Sequence, residues 1–236
     1  ICVTRQIISM PPREGAFAEY LSIPKQNLVY LPNNVSLDKA CLAEPLACGW
    51  HSVRIAKETI KSEIQNLKCL VIGGGAIGIG SALALKAHEV DDIYLAETNI
   101  IRHKLINQSC KMEVFNPNQN IPLKEGSADL VIDGVGIRSS REMASKFVSP
   151  GGLIMHIGLG EAKEGLDIRR MTLQEISFIG TYTYTAQDFK DTAKAIFEGR
   201  LGPLNWTDIR PLKEGQSCFD EILNGKSSSP KIILQP

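Results

Sequence analysis

Leu70-Val71-Ile72-Gly73-Gly74-Gly75-Ala76-Ile77-Gly78 decides how this 236-residue chain is to be read. An apolar, strand-forming run ends in a G-x-G-x-x-G and passes straight into a helical pattern over 76–88. Each glycine has a separate task. Gly73 permits the tight turn, Gly75 lets backbone approach a pyrophosphate, and Gly78 lets the helix pack closely on the strand. Ala76 and Ile77 open the helix, where unpaired N–H groups and a partial positive charge favour phosphate. A plain Gly-rich turn, or a loop that binds S-adenosylmethionine, has the same glycines, and the surrounding strand, helix and acid weigh against both.

That acid is Glu97, which ends the next predicted strand 19 positions after Gly78. There a carboxylate accepts hydrogen bonds from both ribose hydroxyls of adenosine and repels a 2′-phosphate, so NAD is expected over NADP. Arg102, five residues on, could stack on adenine, pair with a phosphate or be an ordinary surface residue. Around this unit, strands are expected over 69–72, 92–96, 113–116, 129–133, 152–159 and 176–183, and helices over 76–88, 99–109, 140–147 and 188–198. Strands alternating with helices over such a length predict an α/β, doubly wound parallel sheet.

The flanks read differently. Residues 14–31 are expected to form short strands broken by a turn at Ile23-Pro24. A helix capped by Ser36 or Asp38 then runs through Leu42, Leu46 and Trp50 to Ile55, kinked or restarted by Pro45. After Gly202-Pro203 the pattern is less regular, with a helix over 215–223 and a last strand over 231–234.

Composition narrows the function. With 43% hydrophobic residues and 26 basic against 26 acidic side chains, the chain has a real core and no net field to draw nucleic acid or anionic lipid. A small-molecule partner is expected. The six cysteines include no CxxC pair and suggest a reducing cytoplasm rather than a disulfide scaffold. The longest uncharged run, 69–85, holds five glycines and reads as strand, turn and helix rather than a membrane span. The opening Ile1-Cys2-Val3 has no initiator Met, so the chain is expected to begin in mid-sequence.

Glu44, in Ala43-Glu44-Pro45-Leu46-Ala47-Cys48-Gly49, is an acid among apolar residues, a costly placement unless a cation or a water-exposed helix end accommodates it. With this element, Gly15-Ala16-Phe17-Ala18-Glu19-Tyr20, the Gly-rich turn, Asp133-Gly134-Val135-Gly136 and the closing 219–226 run, the chain resembles the zinc-containing medium-chain dehydrogenases, those acting on sorbitol, threonine and butanediol above all.

The resemblance implies a Rossmann domain over 47–182, inserted in a partial GroES-like, β-rich catalytic domain formed by 1–46 and the return segment 183–236. It implies a zinc-dependent alcohol or polyol dehydrogenase that passes hydride from a secondary alcohol to NAD. Glu44 then matches the acid at the catalytic zinc, and Cys2 the last cysteine of a structural-zinc lobe, the other ligands lying upstream of Ile1. Val135 and Gly136, then Ile157, Gly158 and Leu159, then Thr181 and Thr183, match positions that hold the nicotinamide. Lys231 matches a basic residue reaching the pyrophosphate. Thr183-Tyr184 stands where sorbitol dehydrogenases have an Arg-Tyr pair at the substrate, so Tyr184 is expected at the catalytic site and polyol specificity is in doubt. The sixth strand, over 177–184, is expected to pair copies into a homodimer or homotetramer, with Ile179 and Tyr182 at that edge.

Other residues carry less. His51 is expected to be a satisfied interior histidine, His88 structural, His103 at the surface, His156 near the carboxyl edge of the sheet, and Arg169-Arg170 a solvated or interface pair in a loop. Two other functions stay open: a zinc-free, NADP-linked quinone or enoyl reductase, and a dinucleotide-binding module without catalysis.

Overall fold

The computed structural model describes residues 3–236. Up to residue 36 the backbone is irregular, with one 3-10 turn at Lys25–Asn27. The short strands expected over 14–31 are not there. A strand needs a neighbour to take up its N–H and C=O groups, and among the described residues this segment pairs with no other. Phe17, Tyr20, Leu28 and Tyr30 are exposed instead.

Two helices follow, α1 (Leu37–Ala40) and α2 (Ala43–Thr59). The restart expected at Pro45 is real, since Pro45 occupies the first turn of α2, where its missing N–H costs nothing. The chain then builds β1 (Cys69–Ile72), α3 (Ala76–Ala87), β2 (Ile93–Ala96), α4 (Ile100–Cys110), β3 (Glu113–Phe115), β4 (Ala128–Asp133), α5 (Arg138–Phe147), β5 (Val148–His156), α6 (Ile168–Leu173), β6 (Ser177–Gly180) and α7 (Ala186–Phe197). It ends in β7 (Thr207–Pro211), α8 (Gly215–Leu223) and β8 (Lys231–Gln235).

Six strands form one parallel sheet in the order β3-β2-β1-β4-β5-β6, the doubly wound Rossmann arrangement. Side-chain alternation divides each central strand between two cores. Cys69, Val71, Leu130, Ile132, Leu153 and Met155 join one face, packed under α2, α3 and α7; Leu70, Ile72, Val131 and Ile154 join the other, under α5. The order reverses between β1 and β4, so the crevice for a ligand opens at their carboxyl ends.

Three expectations need correcting. The loop carrying Arg169-Arg170 is α6, capped by Asp167, whose side chain accepts the Arg170 N–H at 2.9 Å. Arg170 is no solvated charge either, because its guanidinium donates to the carbonyls of Ser145 and Val148. The last strand is not alone: β7 and β8 pair in parallel as a separate two-stranded sheet. β6 is an edge strand as expected, but Ile179 packs toward the core while Phe178 and Tyr182 face out. No helix among the described residues is long and apolar enough to cross a membrane.

Candidate functional site

The turn between β1 and α3 uses its glycines as the motif requires. Gly73 has φ +102°, a conformation that side-chain-bearing residues rarely adopt. A Cβ on Gly78 would lie 1.7 Å from the Gly73 carbonyl oxygen, so helix and strand touch through backbone. Gly75 caps α3, and a Cβ there would meet nothing within 4 Å. The opening above it, at the start of α3 and before Ala76 and Ile77, is where the motif predicts a pyrophosphate.

At the neighbouring strand end Glu97 is nearly buried. Its Oε2 accepts the Gly74 N–H at 2.8 Å and its Oε1 the Asn99 N–H at 2.6 Å. Oε1 also takes the Thr98 hydroxyl at 3.4 Å, and Oε2 keeps an acceptor site for a ribose hydroxyl. Arg102 is no free surface residue. One guanidinium nitrogen lies 3.7 Å from Glu97 Oε2, and Nε donates to the Ser227 carbonyl at 3.4 Å. Asn99 Nδ2 donates to the Gly225 carbonyl at 3.0 Å, so the segment after α8 closes over this end of the sheet. His103, expected at the surface, places Nε2 2.7 Å from the Glu97 carbonyl oxygen.

On the other side of the crevice Asp133 organises the exit of β4. It is fully buried, and its Oδ1 accepts the Val135 and Gly136 N–H groups, both at 2.9 Å, while Oδ2 accepts the Ser140 hydroxyl at 2.8 Å. The Asp133 carbonyl takes the Ile157 and Gly158 N–H groups of the next strand exit. The two exits lie backbone against backbone, since a Cβ on Gly136 would fall 2.1 Å from the Gly158 oxygen. Leu159 projects beyond them into solvent, and Thr181, whose N–H donates to the His156 carbonyl, holds a buried hydroxyl with no partner. His156 packs its ring on Phe178 at 5.4 Å, with Nε2 3.7 Å from Asp133 Oδ2. Burial lowers its pKa, which the Asp133 charge opposes, and the Arg141 charge lowers it further.

Glu44 and Tyr184, 140 positions apart, meet. The phenol donates to Glu44 Oε1 at 3.2 Å. Burial and the Glu44 carboxylate both push the Tyr184 pKa well above its ordinary value, so the phenol stays protonated. Cys48, one turn after Glu44 on α2, is pushed up to about 12, by burial first and then by the Glu44 charge. Thr183 turns the chain toward this contact with φ +55°, a strained conformation for a β-branched residue. Thr185 then caps α7 through Asp188, whose buried carboxylate also takes His51 Nδ1 at 2.8 Å and Arg54 Nε at 2.6 Å. Burial alone would raise the Asp188 pKa, but the hydrogen bonds from Arg54, Thr185 and His51 hold it far below the usual carboxylate range. His51 is thus satisfied, as expected, and His88 packs on Trp50.

The Lys231 charge is felt at the Cys41 and Cys48 thiols, which puts it near the start of α2. Cys2 lies outside the described residues. Among the described residues no three His, Cys, Asp or Glu side chains converge as a metal site. The sequence analysis passed over Asp188 and Arg141. A signal for Arg141 existed: it shares the buried face of α5 with Ala144, Ser145 and Phe147, where an arginine needs a special reason.

The chain is similar in sequence and fold to known proteins. The (R,R)-butanediol dehydrogenase of Saccharomyces cerevisiae is 27% identical over all of this chain and 64% of its own length. The D-xylulose reductase A of Aspergillus oryzae is 21% identical over 96% of this chain and 65% of its own. The chain spans 64%, 65% and 59% of the first three curated relatives it matches. An acetophenone reductase structure from Geotrichum candidum, in complex with NAD, superposes on the whole chain and 66% of its own, with TM-score 0.86 and 21% identity. The model of the zinc-binding dehydrogenases matches residues 76–198, from the first helix after the Gly-rich turn through α7. More than half of the chain lies in that match, and with the glycine turn, the acid at β2 and the strand order it makes this chain a member of the zinc-binding dehydrogenase family.

Proposed function

We propose that the chain forms the cofactor-binding part of an NAD-linked dehydrogenase of alcohols or polyols. The observation that carries this reading is the open approach to Gly75 at the start of α3, with Glu97 beside it at the end of β2. The residues fit a dinucleotide: free N–H groups at the helix start for the pyrophosphate, Glu97 for the ribose, and at the far end the orphaned Thr181 hydroxyl beside the crossed exits of β4 and β5. Bound there, the cofactor would supply a hydride acceptor.

The chain's own residues then do the following. Gly75, Ala76 and Ile77 present backbone to phosphate, and Glu97 with Arg102 selects the ribose. Val135, Gly136, Ile157, Gly158, Leu159, Thr181 and Thr183 form the wall for the ring. Tyr184 keeps its proton on Glu44 and orients that carboxylate.

For zinc the fit is incomplete, because among the described residues only the Glu44 carboxylate and the Cys48 thiol one turn on lie at that place, and no three His, Cys, Asp or Glu side chains converge there. No step is derived through the metal. Residues 47–182 serve as the cofactor domain, with 1–46 and 183–236 belonging to a catalytic domain. Phe178 and Tyr182 on the β6 edge suit pairing of copies. The five described cysteines are free thiols, which supports a reducing cytoplasm.

The test is titration of the chain with NADH and NADPH, read by nicotinamide fluorescence. NADH should bind more tightly, and Glu97→Ala should narrow the difference. Tighter NADPH binding would overturn the reading and favour a quinone or enoyl reductase.

A further inference from the structure

Arg141 is the least conventional charge in the molecule. It is 5% exposed, and among the described residues no carboxylate pairs with it. Its guanidinium is surrounded by backbone oxygen. Nη1 donates to the carbonyls of Gly136 at 2.9 Å and Glu161 at 3.1 Å, Nη2 to that of Lys163, and Nε to that of Glu164 at 2.5 Å. One of these carbonyls lies at the exit of β4 and three in the loop after β5.

A buried cation needs full hydrogen bonding to offset lost hydration. Here the loops provide it, so the loops are held wherever the guanidinium is. Lysine could not replace this, since only the planar five-donor fork reaches four carbonyls in different directions. The loop has other ties to the exit of β4 and to α5. Glu161 N–H donates to the Gly136 carbonyl at 2.8 Å, Asp167 N–H to Ser145 Oγ at 3.1 Å, and Arg138 N–H to the Glu161 carboxylate at 2.7 Å. Leu159 stays 77% exposed, so hydrophobic burial does little to hold this stretch.

We propose that Arg141 is a positioning residue for the nicotinamide half of the cofactor, gathering the exits of β4 and β5 into a preformed wall and taking no part in holding the adenosine half. This rests on the reading that the chain binds NAD. The adenosine side, at Glu97, Arg102 and Ser227, makes no contact with the Arg141 cluster.

The experiment compares the 236-residue chain with Arg141→Met and Arg141→Lys, each titrated calorimetrically with NADH and with ADP-ribose, which lacks the nicotinamide. Arg141→Met should weaken NADH by about tenfold or more, the size expected when charge-assisted hydrogen bonds are lost. ADP-ribose should stay within about twofold, as for a change remote from its site. Arg141→Lys should fall between. Equal loss for both ligands would mean a merely structural arginine and overturn the proposal, as would no loss for either.

Hydrogen exchange on the unaltered chain tests the same idea without a variant that must fold. NADH should protect the amides of 157–167 and ADP-ribose should not; equal protection overturns the proposal. Failure of the unaltered chain to bind either ligand would overturn the cofactor reading itself, and this inference with it.

Discussion

Gly75→Ala and Gly78→Ala should have opposite effects, although both add one methyl to the same turn. At Gly78 the methyl would sit 1.7 Å from the Gly73 oxygen and 2.9 Å from its carbon. Helix propensity favours alanine by about 1 kcal/mol. Relief of the overlap needs a shift of roughly 1.5 Å between α3 and β1, which puts the overpacking cost in the upper part of its usual range, about 2–3 kcal/mol. A net loss of about 1–2 kcal/mol follows, or a fall in Tm of roughly 2–8 °C for a chain this size.

At Gly75 the methyl meets nothing, and φ −82° suits alanine. The entropic gain of about 0.4–1 kcal/mol roughly cancels the weaker capping. Stability should therefore hold within about 0.5 kcal/mol. The methyl instead occupies the approach to the pyrophosphate. Loss of one charge-assisted N–H contact to phosphate is worth about 1.5–3 kcal/mol, which is about 10–150-fold in NADH affinity. Urea denaturation and NADH fluorescence titration measure the two effects separately. A Gly75→Ala protein that binds NADH as the parent does would refute the placement of the phosphates.

Asp188→Asn removes the charge that Arg54 and His51 share, and should cost about 2–3 kcal/mol in denaturant at neutral pH. Because the folded-state pKa lies below the ordinary 3.8, this stabilisation is complete above that value and is lost as pH falls through the folded pKa. The difference between parent and variant should hold constant above about pH 5 and shrink below about pH 4; a constant difference down to low pH would refute it. Glu44→Gln should bring the Tyr184 phenol down from its raised pKa while burial keeps it above normal, as followed by ultraviolet difference titration; an unmoved titration would mean the two side chains do not meet in solution.

The sheet was legible because its central strands are buried on both faces and so read as apolar runs between glycine turns; β1 and α8 match the expected bounds to the residue. The turn after β1 was equally plain, because each glycine is required by a contact that backbone alone can make. β7 was hidden by its composition. Thr-Asp-Ile-Arg-Pro carries one apolar residue, and that residue is exposed, so no alternation marks it. Residues 14–31 failed the other way: the propensity is there, but no partner strand among the described residues realises it. The Asp188 and Arg141 clusters join elements far apart in sequence, and single-position reading sees only an acid in a capping box and a charge in a helix. The resemblance put Glu44 and Tyr184 each at the catalytic site without pairing them, and local pattern holds no trace of their contact.

The contact between α2 and α3 has a mechanical consequence. A Cβ on Gly49 would fall 2.4 Å from the Ser81 nitrogen and 2.6 Å from the Gly80 carbon, so α2, whose first turn carries Glu44, lies directly on the main chain of α3, which Gly75 caps. No rotamer intervenes to give slack. The two helices form one strut, and the acid at its near end is gauged against the Gly75 turn with backbone accuracy. Any motion on ligand binding is therefore expected outside the strut, in the segment at 60–68 that leaves α2, with the spacing between Glu44 and the Gly75 turn held fixed.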